Sequence, residues 1–166
     1  MQTRFKKGLF GLLFALVLIF LDQYTKLLAV RHLRGQEPIV LWEGVFELRY
    51  LENLGMAFGM LQNKRMLFLI LTSVMLIIIV WFYFRRIPTE RRFHWLNVIA
   101  VLSFSGAIGN FIDRLVHGYV VDFFYFSLID FPIFNVADIY VTVAAFLLLF
   151  LIFFYYNEED FDRIIP

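Results

Sequence analysis

The sequence predicts an all-α membrane protein, a four-transmembrane-helix bundle that carries a small extracytoplasmic β-sheet at the membrane surface. Composition is the first reason. Of 166 residues, 61% are hydrophobic and 17% charged, whereas an ordinary soluble domain has about 25% charged residues. The second reason is surface area: a soluble domain of this size buries about 70% of its surface, too little to hide 22 Phe at a mean hydropathy of +0.76. The third is that the apolar material falls into four runs, each close to the ~20 residues that cross a bilayer as a helix. Residues 1–166 are expected to form one membrane-embedded domain, without internal repeat or low-complexity linker.

The first span is placed at 8–28. It follows Arg4, Lys6 and Lys7 as a signal peptide would, but no small-x-small cleavage site follows, and the pattern runs on through "DQYTKLLAV", so a retained helix is predicted. The second, 66–84, is interrupted only by Thr72 and Ser73. The third, 93–112, contains His94, Asn97, Ser103, Ser105 and Asn110; lipid does not tolerate such groups, so this helix is expected to face its neighbours. Its pairs Ser103/Ala107 and Ser105/Gly109 have the small-xxx-small spacing that lets helix backbones approach. The fourth span is 135–156, leaving 29–65 and 113–134 as the outer segments.

Orientation follows Lys and Arg. The N-terminus, the turn "RRIPTERR" and the tail "NEEDFDRIIP" share one side by parity, with eight basic residues against seven on the other. The eight are concentrated in short tails and one tight turn, which favours both termini in the cytoplasm. In the first outer segment, "IVLW" and "VFELRYLE" alternate around Glu43 and Gly44 and predict two short strands, with Phe46, Leu48 and Tyr50 on one face. The second, "LVHGYVVDFFYFSLIDFPIF", is rich in Tyr and Phe and suits the headgroup interface. The "GMAFG" string lies beyond a span end and is read as serving backbone flexibility.

Inventory excludes several chemistries. There is no Cys for a disulfide, thiol nucleophile or thiolate metal site. His32, His94 and His117 are scattered without ligand spacing, and no G-x-S-x-G elbow, P-loop or dinucleotide fingerprint occurs. No metal and no cofactor is expected, and a formal charge of +1 gives no reason to expect nucleic acid. Carboxylates remain. Asp22 ends the first helix, Asp113 the third, Asp138 begins the fourth, and Asp122 lies among aromatics between the last two. By alternation all fall near the outer face, where Asn53, Asn110 and Asn135 join them. A carboxylate at membrane depth costs roughly 2.5–3.5 kcal/mol, so each needs a reason. Asp22 has an i,i+4 partner in Lys26, Asp113 has Arg114 beside it, and Asn135 with Asp138 fits a helix N-cap. Asp122 has no counter-charge among Val120, Val121, Phe123, Phe124 and Phe126. Two close acids hold one proton between them and act as base and acid. A proton- or ion-translocating relay and a non-enzymatic assembly factor are the alternatives; the spans carry no mid-membrane ionisable residue in helices one, two and four, which disfavours the relay.

The blocks "LDQYTK", "ENLGMAFGML", "GAIGNFIDR", "VVDFFYF" and "FNVADIYV", in this order over nearly the whole chain, resemble the signature blocks of bacterial lipoprotein signal peptidase, or signal peptidase II. The resemblance implies an aspartic endopeptidase of the cytoplasmic membrane that removes the signal peptide of prolipoproteins, cleaving N-terminal to a diacylglyceryl-modified cysteine. It implies Asp122 and Asp138 as the catalytic pair, and Asp22, Asn53, Gly55, Asn110, Asp113, Arg114 and Asn135 as residues that shape the site or bind substrate. Its implied partners are lipid-modified prolipoproteins and membrane lipids, with the enzyme a monomer. Two positions depart from the pattern: Ser105-Gly106 stands where paired glycines are frequent, and Met56 where Ala is.

Overall fold

A computed structural model describes residues 2–55 and 64–165, with side chains from Arg4 onward. Apart from Gly55, the "GMAFG" string and Met56 lie outside these residues.

The chain runs α1 (Gln2–Leu33), β1 (Ile39–Trp42), β2 (Phe46–Asn53), α2 (Arg65–Arg85), α3 (His94–Val116), β3 (Val120–Tyr125), α4 (Val136–Phe154) and α5 (Glu158–Ile164). Among the described residues three helical stretches are long and apolar enough to cross a membrane: Arg65–Arg85, Arg91–Val116 and Val136–Phe154. Helix α1 is 32 residues long and exposes Leu12, Leu13, Leu16, Val17 and Phe20. It runs past residue 28 because Asp22, Lys26, Ala29 and Leu33 continue one buried stripe at i,i+3/i+4 spacing for more than one further turn.

Helix α3 is central and packs against α1, α2 and α4. Its buried small residues allow this: a Cβ on Gly106 would lie 2.5 Å from the Ala137 carbonyl oxygen, and one on Gly109 would collide with the Asp22 carboxylate. Ser105 and Ala107 are also buried, as the small-residue spacing predicts, and the Ser105 hydroxyl donates to the Val101 carbonyl at 2.7 Å. The helix continues to Val116, past its predicted end at 112, which moves Asp113 and Arg114 from the outer segment into its last turns.

The sheet is antiparallel with order β1-β2-β3. The two predicted strands are present, joined at Glu43–Val45, where Gly44 has φ +69°. The third strand corrects the reading of the second outer segment as an interfacial stretch: "VVDFFY" pairs with β2, Leu51 opposite Asp122 and Asn53 opposite Val120. Val121 and Phe123 pack with Leu48 and Tyr50 on Ala29 and Leu33 of α1, so the long helix supports the strand that carries Asp122.

At the opposite end the acidic tail is also structured. Asn157 caps α5 in a reciprocal capping box with Asp160, and the Arg92 guanidinium holds Asp160 through Nε at 2.6 Å and Nη2 at 2.5 Å. That contact pulls the Asp160 carboxyl below its usual range. Phe93, fully buried, stacks on Tyr156 at 5.7 Å, tying the α2–α3 turn to the chain after α4.

Candidate active site

Asp122 is 1% exposed at the centre of β3. Both its oxygens are satisfied by amides. Asn53 Nδ2 donates to Oδ2 at 2.8 Å and Asn135 Nδ2 to Oδ1 at 2.6 Å. Asn53 is aimed by its own turn, its Oδ1 accepting from the Gly55 backbone N–H at 3.0 Å.

Asp138 enters from the first turn of α4. Asn135 Oδ1 accepts from the Asp138 backbone N–H at 3.0 Å while Asp138 Oδ2 accepts from the Asn135 N–H at 3.2 Å, a complete capping box. Asp138 Oδ1 accepts from Asn110 Nδ2 at 2.8 Å. Capping and site membership, alternatives on sequence grounds, are therefore one contact set: the Asn135 side chain that caps α4 is the one that reaches Asp122.

Asp122, Asp138, Asn53, Gly55, Asn110 and Arg114 line one cavity of about 480 Å³. Its far wall, Phe131, Pro132, Phe134, Ile139 and Val143, is apolar. Burial foremost, and then the charge of Asp138, raise the Asp122 pKa to about 7 against the opposing hydrogen bonds from Asn53 and Asn135. A carboxyl in that state holds a proton near neutrality. Arg114 spans the site, Nη2 donating to the Gly55 carbonyl at 3.2 Å and Nη1 to that of Asn110 at 3.4 Å. Among the described residues no group of three or more imidazoles and carboxylates is placed to hold a metal ion.

Asp22 and Asp113 stand behind this cavity around Lys26. The ammonium lies 3.0 Å from each carboxylate and donates to Asn110 Oδ1 at 2.8 Å, with its side chain 4% exposed. Asp22 Oδ1 accepts from the Ala137 N–H at 2.9 Å, and Asp113 Oδ2 from that of Val121 at 3.1 Å. The two acids thus pin α4 one residue before Asp138 and β3 one residue before Asp122. Asp113, although Arg114 is its neighbour in sequence, pairs with Lys26. Lys26, foreseen as a partner of Asp22 alone, joins three groups from two helices. Gln23, which donates to Asp22, Asp113 and the Gly109 carbonyl at 3.0–3.2 Å, was not singled out. Its signal was present: Gln23 and Lys26 share a helix face at i,i+3.

A model of the family described as Signal peptidase (SPase) II matches residues 14–154. The chain is 46% identical over 143 residues to a lipoprotein signal peptidase of Brevibacillus brevis, covering 85% of this chain and 93% of that one. It is 37% identical over 159 residues to that of Streptococcus pyogenes, covering 95% and 99%. Among solved structures it resembles a bacterial membrane enzyme determined by the in meso method at 2.3 Å resolution, with TM-score 0.79, 31% identity and coverage of 86% and 87% of the two chains.

Proposed function

The chain belongs to the signal peptidase II family, and from that membership we propose that residues 1–166 form one membrane-embedded aspartic endopeptidase domain, which removes the signal peptide of prolipoproteins by cutting before a diacylglyceryl-modified cysteine. The observation that carries the reading is the pair of carboxyls on one cavity wall, one buried in β3 with its pKa at about 7 and one capping α4. Asp138, as carboxylate, takes a proton from the attacking water while Asp122 gives its proton to the scissile carbonyl oxygen. In the collapse of the resulting gem-diol, Asp138 passes its proton to the leaving amine of the lipidated cysteine and Asp122 recovers one from a hydroxyl. The pair returns to its starting state, with no covalent intermediate. Asn53, Asn110 and Asn135 hold the two acids, and Arg114 with the Gly55 carbonyl orients the peptide.

Cleavage of a synthetic propeptide by the purified protein tests this. The diacylglyceryl form is expected to be cut at the bond before cysteine, and the same peptide with an unmodified cysteine at least about 10²-fold more slowly, because binding energy from acyl chains on the apolar wall is spent in positioning the bond. Equal processing of both peptides, read by mass spectrometry of the products, counts against lipid recognition.

In the reading proposed here α1 is the fourth span, supported by its outward Leu, Val and Phe. Both termini and the 85–92 turn then lie in the cytoplasm, the acids lie near the extracytoplasmic face, and the enzyme acts as a monomer. A cysteine replacing exposed Gln36 is expected to react with an impermeant thiol reagent in intact cells, and cysteines in the 85–92 turn to remain unlabelled until the membrane is opened. The reverse pattern contradicts this topology.

A further inference from the structure

We propose that Phe68, which does not itself line the cavity, is a positioning residue for the reaction: its ring carries the Arg114 guanidinium and sets the angle at which that cation meets the peptide. This rests on the role proposed for Arg114 in orienting the substrate. The ring centroid lies 4.8 Å from Arg114 Cζ, inside the ~6 Å within which a cation is drawn to an aromatic face. The burial of Phe68 is selective. Of the 21 residues of α2 only Phe68 and Tyr83 are buried, while Met66 and Leu67 beside Phe68 are exposed. Tyr83 serves the far end of the helix, its hydroxyl donating to the Lys7 carbonyl at 2.8 Å. Arg65 shares the face of Phe68 at i,i+3 and donates from Nη2 to the Leu115 carbonyl at 2.7 Å. That contact fixes the first turn of α2 against the last turn of α3 and so sets Phe68 beside Arg114.

The hydrogen bonds of Arg114 hold it loosely. Its contacts to the Gly55 and Asn110 carbonyls, 3.2 and 3.4 Å, lie at and beyond the long end of the N–H···O range, about 3.2 Å. Arg34, Arg49, Arg92 and Arg163 also lie over aromatic rings, and each of them binds a carboxylate as well. Among the described residues Arg114 has no carboxylate within ion-pairing distance. The difference suits its task. A carboxylate holds a guanidinium by neutralising it, whereas a phenyl ring attracts it through the ring quadrupole and leaves the charge whole. A phenyl ring also has no acceptor to occupy the guanidinium edge, so the hydrogens that the two carbonyls do not use are left to substrate carbonyls.

Replacing Phe68 in the full chain by mono-, di- and trifluorinated phenylalanines tests this, because fluorine drains negative charge from the ring face while closely keeping its shape. KM for the diacylglyceryl propeptide is expected to rise with each fluorine, to about tenfold for the trifluorinated ring. The change in kcat is expected to stay below about twofold, the pattern of a lost contact common to ground state and transition state. A purely structural role gives a flat series, and a partly misfolded preparation lowers kcat without raising KM. Phe68→Leu is expected to match the trifluorinated ring in KM, and to add nothing in an Arg114→Met background, since the ring acts through Arg114 alone. A KM independent of fluorination, or additive losses for Phe68→Leu and Arg114→Met, overturns the proposal. Absence of cleavage by the unaltered chain would overturn the peptidase reading and this proposal with it, whereas a flat series in an active enzyme overturns this proposal alone.

Discussion

Asp122→Asn and Asp138→Asn are each expected to lower the cleavage rate by at least about 10³-fold, since the first removes the proton donor and the second the proton acceptor, and general acid–base groups of this kind contribute about 10²–10⁴-fold each. The double variant is expected to be scarcely worse than either single one, because two groups that share a proton act as a unit. Neither variant is expected to prevent membrane insertion. Asn at 122 still fits between Asn53 and Asn135, but it sets one amide donor against another, which costs about 1–3 kcal/mol; the site's other ties remain. Single-turnover assays on purified variants, with membrane accumulation measured in parallel, check this. Substantial turnover by either single variant removes the dyad.

The second large effect is expected at Lys26. Lys26→Met leaves the Asp22 and Asp113 carboxylates buried around a position with no counter-charge, a situation that costs about 3–5 kcal/mol. A matching fall in Tm is expected in detergent, together with reduced activity, because Asn110 Oδ1 loses the shorter of its two donors, keeping only Asn135 Nδ2 at 3.1 Å to fix its amide toward Asp138. Adding Asp22→Asn to Lys26→Met removes one of the stranded charges and is expected to recover part of the Tm. Additive losses in the double variant contradict a shared buried cluster.

The cores of the three membrane-length helices were legible because a bilayer demands long apolar runs, and the acids stood out because such runs exclude them. What the sequence concealed depends on partners distant along the chain. Strand β3 carries Val121, Asp122 and Phe123 buried in succession, so it lacks the alternation that marks a strand with one wet face. Its aromatic run reads equally well as an interfacial segment. The role of Lys26 depends on the register between α1 and α3, set by Gly109 against Asp22, which no local pattern reports. Helix α5 did leave a trace, since Asn157 and Asp160 have capping-box spacing, but its charge drew attention to the tail's acidity instead.

The central proposal is that Asp122 and Asp138 hold one proton between them, and the pH dependence of kcat/KM for a diacylglyceryl propeptide tests it most directly. A bell is expected. The alkaline limb reports loss of the Asp122 proton: its pKa is raised to about 7, so the neutral acid is present below that pH and disappears as pH rises through it. The acidic limb reports a second proton entering the pair and removing the base. The two apparent values belong to the pair rather than to either residue. A bell whose alkaline limb falls near pH 7, with that alkaline limb lost from the residual activity of Asp122→Asn while the acidic limb remains, is the expected result. A profile flat across the range in which carboxylates titrate would contradict the shared proton.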